Sequence, residues 1–318
     1  MKISVGNWCF DVAPFARGCS RLLRCAVLSW ICSCFCFWAC VLALPAQANG
    51  EAAVQFAADA WYLPADDLLG FVHIPAGGFL MGSDPAIDTM AFENERWSQQ
   101  RRQGRVELPE YYIGKYEVTV AQYREFAMDT MRQVDPQALA GADGHPVTHV
   151  SWTDALAYAR WLEARMKASP QTPAPLRELL QAGWHITLPT EAQWEKAARG
   201  FGNRIFPWGN QPLPERANFS AGTPANGTTA VGSFDCPECA YGLADMSGNV
   251  WELTRSPYQP YPYDDSDDAE TVDQDALWVM RGGSFSDTVN LVRAGVRGGV
   301  DPGARRDNIG FRLVISGL

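Results

Sequence analysis

A chain of 318 residues with 47 % hydrophobic content is long enough to bury a sizeable core, and its formal net charge of −10 speaks against nucleic acid as a partner. Twelve tryptophans point to a core of large aromatic side chains with polar handles. That composition favours a loop-rich fold over a bundle of long aliphatic helices.

Residues 1–48 read as an export signal. Arg17, Arg21 and Arg24 lead into an apolar run over 26–44 that ends in the small-residue site Ala46-Gln47-Ala48. The alternative is an uncleaved anchor, since about 19 apolar residues can just span a bilayer. Either reading places the domain outside the cytoplasm, in the periplasm or otherwise exported, with membrane contact only through a retained leader. The leader holds one lysine, three arginines and one aspartate. Removing these from 26 basic and 36 acidic residues leaves 22 and 35, a net charge of −13. Such a surface repels anionic membranes as well as nucleic acid and suits divalent cations or basic partners.

Residues 49–70 form a mixed lead-in, and residues 71–83 predict two short strands around a Gly-Gly turn. From 84 to 105 charge and glutamine dominate without periodicity, which reads as a surface loop; strand alternation resumes at 111–118. Three capping boxes then announce helices: Thr119 with Gln122, Ser151 with Asp154, and Thr190 with Gln193. A Pro-rich excursion around 171–175 precedes a short helix over 176–182. Gly200 stops the third capped helix. Beyond it, short apolar pieces separated by Gly, Asn, Pro and Ser run to the end, a stretch that side chains, turns or bound ions must hold in shape. The run 264–275 carries seven acidic residues and reads as a solvated loop, with a cation site as the lesser alternative. One domain accounts for the pattern, and no internal repeat is visible.

Seven of the nine cysteines lie in the leader, leaving Cys236 and Cys239 as a Cys-Pro-Glu-Cys pair. In an oxidising compartment the plainest reading is a local disulfide. A thioredoxin-like pair lacks its βαβ setting, and a zinc site would need two further ligands that His73, His145, His149 and His185 do not offer at ligand spacing. No Ser/His/acid spacing suggests a hydrolase.

Eight blocks resemble the formylglycine-generating enzyme (sulfatase-modifying factor) family, in the family's own order: IPAGGFLMGS (74–83), YIGKYEVT (112–119), PVTHVSW (146–152), LPTEAQWEKAAR (188–199), PWGN (207–210), YGLADMSGNVWE (241–252), RGGS (281–284) and GFR (310–312). The resemblance implies a single α+β domain over 71–318, related to the C-type lectin fold, with much irregular backbone stabilised by calcium. It implies one calcium site from the side chains of Asp245 and Glu252 and the carbonyls of Gly248 and Val250, a mixture of oxygens that a hard cation favours. A second would begin at Asn218 and Phe219, where the family's downstream acid is missing and only Asn226 could stand in.

The family's oxidases bind Cu(I) through two cysteines in the segment matching 281–312. That segment contains no cysteine here, with Ser286 and Asp287 near the first expected place, so copper-dependent oxidation does not carry over. The histidine-rich iron-binding domain of related sulfoxide synthases has no counterpart either. The block is expected to line a groove through Trp251, Ser284, Asp287, Arg293 and Arg297, the arginines serving either to pair with an acidic ligand or to tie backbone carbonyls together. The resulting expectation is a periplasmic binding or regulatory module for a peptide or protein partner, like cysteine-less relatives that accompany type VI secretion and its Ser/Thr kinase. The alternative is an enzyme of altered mechanism acting on a peptide or siderophore precursor, with Asp287 or Glu252 as general acid, or an oxidase drawing on other thiols.

Overall fold

The computed structural model describes residues 54–221, 226–268 and 276–317. The leader over 1–48 lies outside the described residues, as does most of the acidic run. Residues 51–318 cluster as one unit. No described helix is long and apolar enough to cross a membrane.

Each capping box starts the helix it announces. α1 (Val120–Thr130) opens with Gln122 N–H donating to the Thr119 hydroxyl and the Gln122 side chain accepting from Thr119 N–H. Ser151 with Asp154 starts α2 (Trp152–Ala168), and Thr190 with Gln193 starts α4 (Glu191–Arg199). Between them α3 (Ala174–Gln181) buries Leu176 and Leu180, and no α-helix follows Arg199 among the described residues. α1 and α2 share an aromatic seam: Tyr123, Phe126, Tyr158 and Trp161 meet at centroid distances of 5.4 to 6.0 Å. Such pairs add roughly 0.5–1.5 kcal/mol each beyond area burial.

Two four-stranded sheets carry the rest. The first has the order β3 (Phe71–Ile74), β6 (Tyr111–Gly114), β12 (Val314–Ser316), β7 (His185–Thr187), so the last strand of the chain lies in its middle. The second has the order β10 (Arg297–Val300), β9 (Trp278–Arg281), β8 (Trp251–Pro257), β11 (Ile309–Gly310). Trp152 at the start of α2 stacks on Trp278 of β9 at 4.1 Å and donates its indole N–H to Thr254 O, which pins the second sheet to the helices.

The structure differs from expectation in three places. The Gly77-Gly78 pair is no hairpin turn. It begins β4 (Gly77–Met81), which leaves β3's sheet and pairs instead with β5 (Gly104–Leu108). The stretch 84–105 is not merely a surface loop, because Asp88 and Glu95 within it are buried. The lead-in contributes Ala60, Leu63 and Leu69 to the main core and the short strands β1 (Phe56–Ala57) and β2 (Leu63–Pro64).

α4 is buried on all sides, although it carries Glu191, Glu195, Lys196 and Arg199. Every charge finds a partner, as burial demands. Glu195 accepts from Arg199 Nε at 2.8 Å and pairs with Arg281, Lys196 donates to Pro75 O and Gly77 O, and Glu191 takes both arms of Arg297.

Candidate functional site

Trp251, Ser284 and Asp287 converge on one carboxylate oxygen. Asp287 Oδ2 accepts from Trp251 Nε1 at 2.8 Å, from Ser284 N at 3.0 Å and from Ser284 Oγ at 2.5 Å. β8 delivers the tryptophan, and the turn after β9 delivers the other two. That turn needs Gly283: its φ is +72°, and a Cβ there would stand 2.4 Å from Leu291 O. Ser286 Oγ lies 3.1 Å from Ser284 Oγ, and Asn308 Nδ2 lies 3.4 Å from it. Ser284 is fully buried, Asp287 and Asn308 are half-buried, and Ser286 is exposed. Asp287 Oδ2 is thus a triply bonded acceptor, and the accessible polar side chains are Ser286 and, in part, Asn308 and Asp287. Asn308 escaped the sequence reading; its position two residues before the GFR block was the available signal.

Arg293 and Arg297 do not join this cluster. Arg293 is fully buried against Glu95, whose two oxygens accept at 2.6 and 2.9 Å, and against Asp88. Arg297 grips Glu191 at 2.7 and 2.8 Å, donates to Gln259 O and stacks on Tyr261 at 4.0 Å. Both guanidiniums serve the scaffold, and their nearby carboxylates raise their pKa values further against burial, which acts the other way.

The segment 245–252 folds through three residues of positive φ: Asp245 at +56°, Gly248 at +77° and Asn249 at +61°. A Cβ at Gly248 would meet Asn218 O at 2.2 Å. Glu252 sits between Arg312, which donates Nε at 2.5 Å and Nη2 at 2.6 Å, and Trp194 Nε1 at 2.8 Å. Its oxygens are therefore engaged by protein donors. Asp245 Oδ2 accepts from Gly232 N at 2.6 Å, and burial pushes its carboxyl up to about 6. Beside it lies Glu117, a residue the sequence reading passed over as one position of an alternating strand. Glu117 is 1 % exposed. Its Oε1 accepts from Asn249 Nδ2 at 3.0 Å, and its Oε2 has no hydrogen-bond partner among the described residues. Burial, then Asp245's charge, raises its carboxyl pKa well above the ordinary range. Three buried carboxylates, Glu117, Asp245 and Glu252, face the single guanidinium of Arg312.

Asn218 and Phe219 are buried. The Asn218 side-chain amide donates to Gly227 O at 3.0 Å, and the Asn218 backbone carbonyl accepts from Asn249 N at 2.8 Å, while Asn226 is exposed. A disulfide joins Cys236 to Cys239.

Two metals implied by family resemblance can be tested against these donors. Copper does not fit: soft Cu(I) requires thiolates, and the segment 281–312 offers Ser284, Ser286 and Asp287 in their place. The oxygens around Glu117 and Asp245 are of the kind a hard cation takes, but among the described residues no three His, Cys, Asp or Glu side chains are grouped as a metal site.

These features define an α+β domain whose irregular second half is held by buried arginine–carboxylate pairs. The sulfatase-modifying factor enzyme 1-like domain matches residues 61–316, and the chain belongs to that family. Inactive C-alpha-formylglycine-generating enzyme 2 of Mus musculus is 36 % identical over 186 residues, covering 54 % of this chain and 49 % of that protein. Hercynine oxygenase of Mycolicibacterium smegmatis is 30 % identical over 287 residues, covering 76 % and 60 %. The chain thus spans about half to three fifths of the length of these relatives. Among solved structures, PvdO from Pseudomonas aeruginosa superposes with a TM-score of 0.62 at 24 % identity, over 77 % of this chain and 94 % of that one, a likeness of fold.

Proposed function

We propose that this protein is an exported, non-oxidase member of its family that binds a peptide or protein partner at the face around Ser286, Asn308 and Asp287. The observation that carries this reading is the structural role of Asp287: its Oδ2 takes three donors, so the carboxylate holds the turn in shape. Arg293 and Arg297, the other polar groups expected there, are spent on buried carboxylates. What remains accessible is a small polar face of Ser286, Asn308 and Asp287, which suits recognition.

The resemblance to cysteine-less relatives that accompany type VI secretion makes a periplasmic partner upstream of that Ser/Thr kinase pathway the first to try. Capture on the immobilised protein should yield a stoichiometric partner that is lost with Ser286→Arg, at an unchanged thermal midpoint. Turnover of a supplied peptide without capture, or capture indifferent to Ser286→Arg, overturns the reading.

Within the same reading, a structural calcium ion rests between Glu117 and Asp245, with Glu252 holding Arg312 instead of the metal. The support is the unpartnered Glu117 oxygen and the excess of buried carboxylate. A hard cation there would neutralise charge that Arg312 alone leaves uncompensated.

A further inference from the structure

We propose that the free edge of β5 is a docking site for an extended, basic peptide segment of a partner, which adds to the β4–β5 ribbon as a third strand. β4 and β5 form a sheet of two, so β5 is paired on one side alone. In an antiparallel pair alternate residues turn their N–H and C=O groups outward, and among the described residues those of β5 meet no other backbone group. Such an edge is a template for a further strand.

A slot of about 510 Å³ runs beside it. Arg105, Val106 and Glu107, three consecutive residues of β5, line that slot, and the stretch 262–265 forms another wall. Successive side chains of a strand point to opposite faces, so a slot touched by three in a row follows the edge and not a face. Long charged side chains on an edge strand commonly block such pairing. Here Arg105 Nε donates to Glu107 Oε1 at 2.7 Å, and the pair lies over Gly78 of β4, where a Cβ would stand 2.4 Å from Glu107 Oε1 and 2.6 Å from Arg105 Nη2. Both side chains thus lean across the ribbon and leave the outer edge open. The five residues of β5 offer about 17 Å of it, the length of an ordinary strand.

The walls set the chemistry of the occupant. Trp97, Val106 and Tyr263 are half-buried against the core cluster that holds Ile74 and Phe79, so one face of an added strand meets apolar ground. Tyr263 is held in place by its hydroxyl, which donates to Asp268 at 2.5 Å. Asp264 and Asp265 are exposed on the wall. Asp264 Oδ1 accepts from Ser266 N at 2.9 Å and Ser266 Oγ at 2.6 Å, and the Asp265 carboxylate has no partner among the described residues. With Arg105 neutralising Glu107, these two aspartates leave the lining two charges negative. Arg101 and Arg102 stand in the turn beyond Trp97 and do not line the slot. An added strand therefore alternates apolar residues with lysine or arginine, and an acidic strand is repelled. The slot shares no lining residue with the Ser286 face, so this site is additional to the one proposed above.

The test uses the full chain and two probes, acetyl-Lys-Val-Lys-Val-Lys-Val-amide and its counterpart with glutamate for lysine. Calorimetry should show one site for the lysine peptide and at least about tenfold weaker binding of the glutamate peptide, a preference that Asp264→Lys with Asp265→Lys reverses. N-methylation of alternate amides of the lysine peptide separates edge pairing from contact by side chains. One alternate set should abolish binding and the other leave it intact, because only amides turned toward β5 donate to it. Amide hydrogen exchange within 104–108 should slow when the lysine peptide is added. Ser286→Arg should alter none of these readings, which keeps the result apart from that for the partner face. Equal effects of the two N-methylated sets overturn the proposal, as does no binding of the lysine peptide by about 1 mM. Protection of 104–108 by self-association without peptide overturns it too, by making a second copy the occupant.

Discussion

Arg312 holds Glu252 with two donors of one guanidinium, Nε to Oε2 at 2.5 Å and Nη2 to Oε1 at 2.6 Å, and both side chains are wholly buried. Removing one member strands the other charge in the interior. Arg312→Gln should therefore cost about 3–5 kcal/mol, seen as a lowered urea midpoint at an unchanged slope. Arg312→Lys should recover only part of this, because an ammonium cannot reproduce the fork or also serve Gly114 O, Lys115 O and Ala244 O.

Calcium should stabilise the native state by mass action, so chelation should lower the thermal midpoint and added calcium restore it. Glu117→Gln should abolish that response, since it neutralises the unpartnered carboxylate. A wild-type midpoint indifferent to chelator and calcium alike removes the cation from the site.

Asp268 supplies a pH dependence whose sign can be worked out. Burial pushes its carboxyl up to about 6, against hydrogen bonds from Ser256 and Tyr263 and the charge of Arg255. The unfolded carboxyl titrates near ~3.9. The folded state therefore holds the proton more tightly, and its stabilising effect is complete below pH ~4 and lost as pH rises through about 6. Asp268→Asn should flatten this fall by up to roughly 3 kcal/mol, measured as the difference in unfolding free energy between acid and neutral pH in variant and wild type. Equal pH profiles for the two proteins would contradict the assignment.

Asp287→Ala should release three donors at once: the Trp251 indole, the Ser284 amide and the Ser284 hydroxyl. A loss of about 1–3 kcal/mol is expected for buried donors left without an acceptor, together with loss of partner capture. Asp287→Asn keeps an acceptor and should lose less of both.

What was legible in the sequence was what is local. A capping box spans three residues and carries its own hydrogen bonds, so Thr119, Ser151 and Thr190 marked their helices correctly. Family resemblance implied a groove lined by Trp251, Ser284, Asp287, Arg293 and Arg297; the first three form one hydrogen-bonded group, and the two arginines pair with buried carboxylates elsewhere. Ion pairs across the chain were not legible. Arg293 and Glu95 stand 198 positions apart and Arg297 and Glu191 106 apart, and no periodicity links such residues. For the same reason Glu95 was read as part of a surface loop, and Glu117 as one more strand residue. The strands β3 and β4 looked like a hairpin because the Gly-Gly pair is a turn signal, whereas tertiary pairing sent them to different sheets.

The buried helix α4 sets the order in which the protein can be completed. Glu195 emerges from synthesis 86 positions before Arg281 and Glu191 106 positions before Arg297, the residues that make their burial tolerable. β12, from the last few residues, must also slot between β6 and β7 before the first sheet is continuous. A chain lacking β12 thus leaves β6 and β7 without their shared partner. Deleting 314–316 should therefore leave the first sheet split and the domain open to proteases.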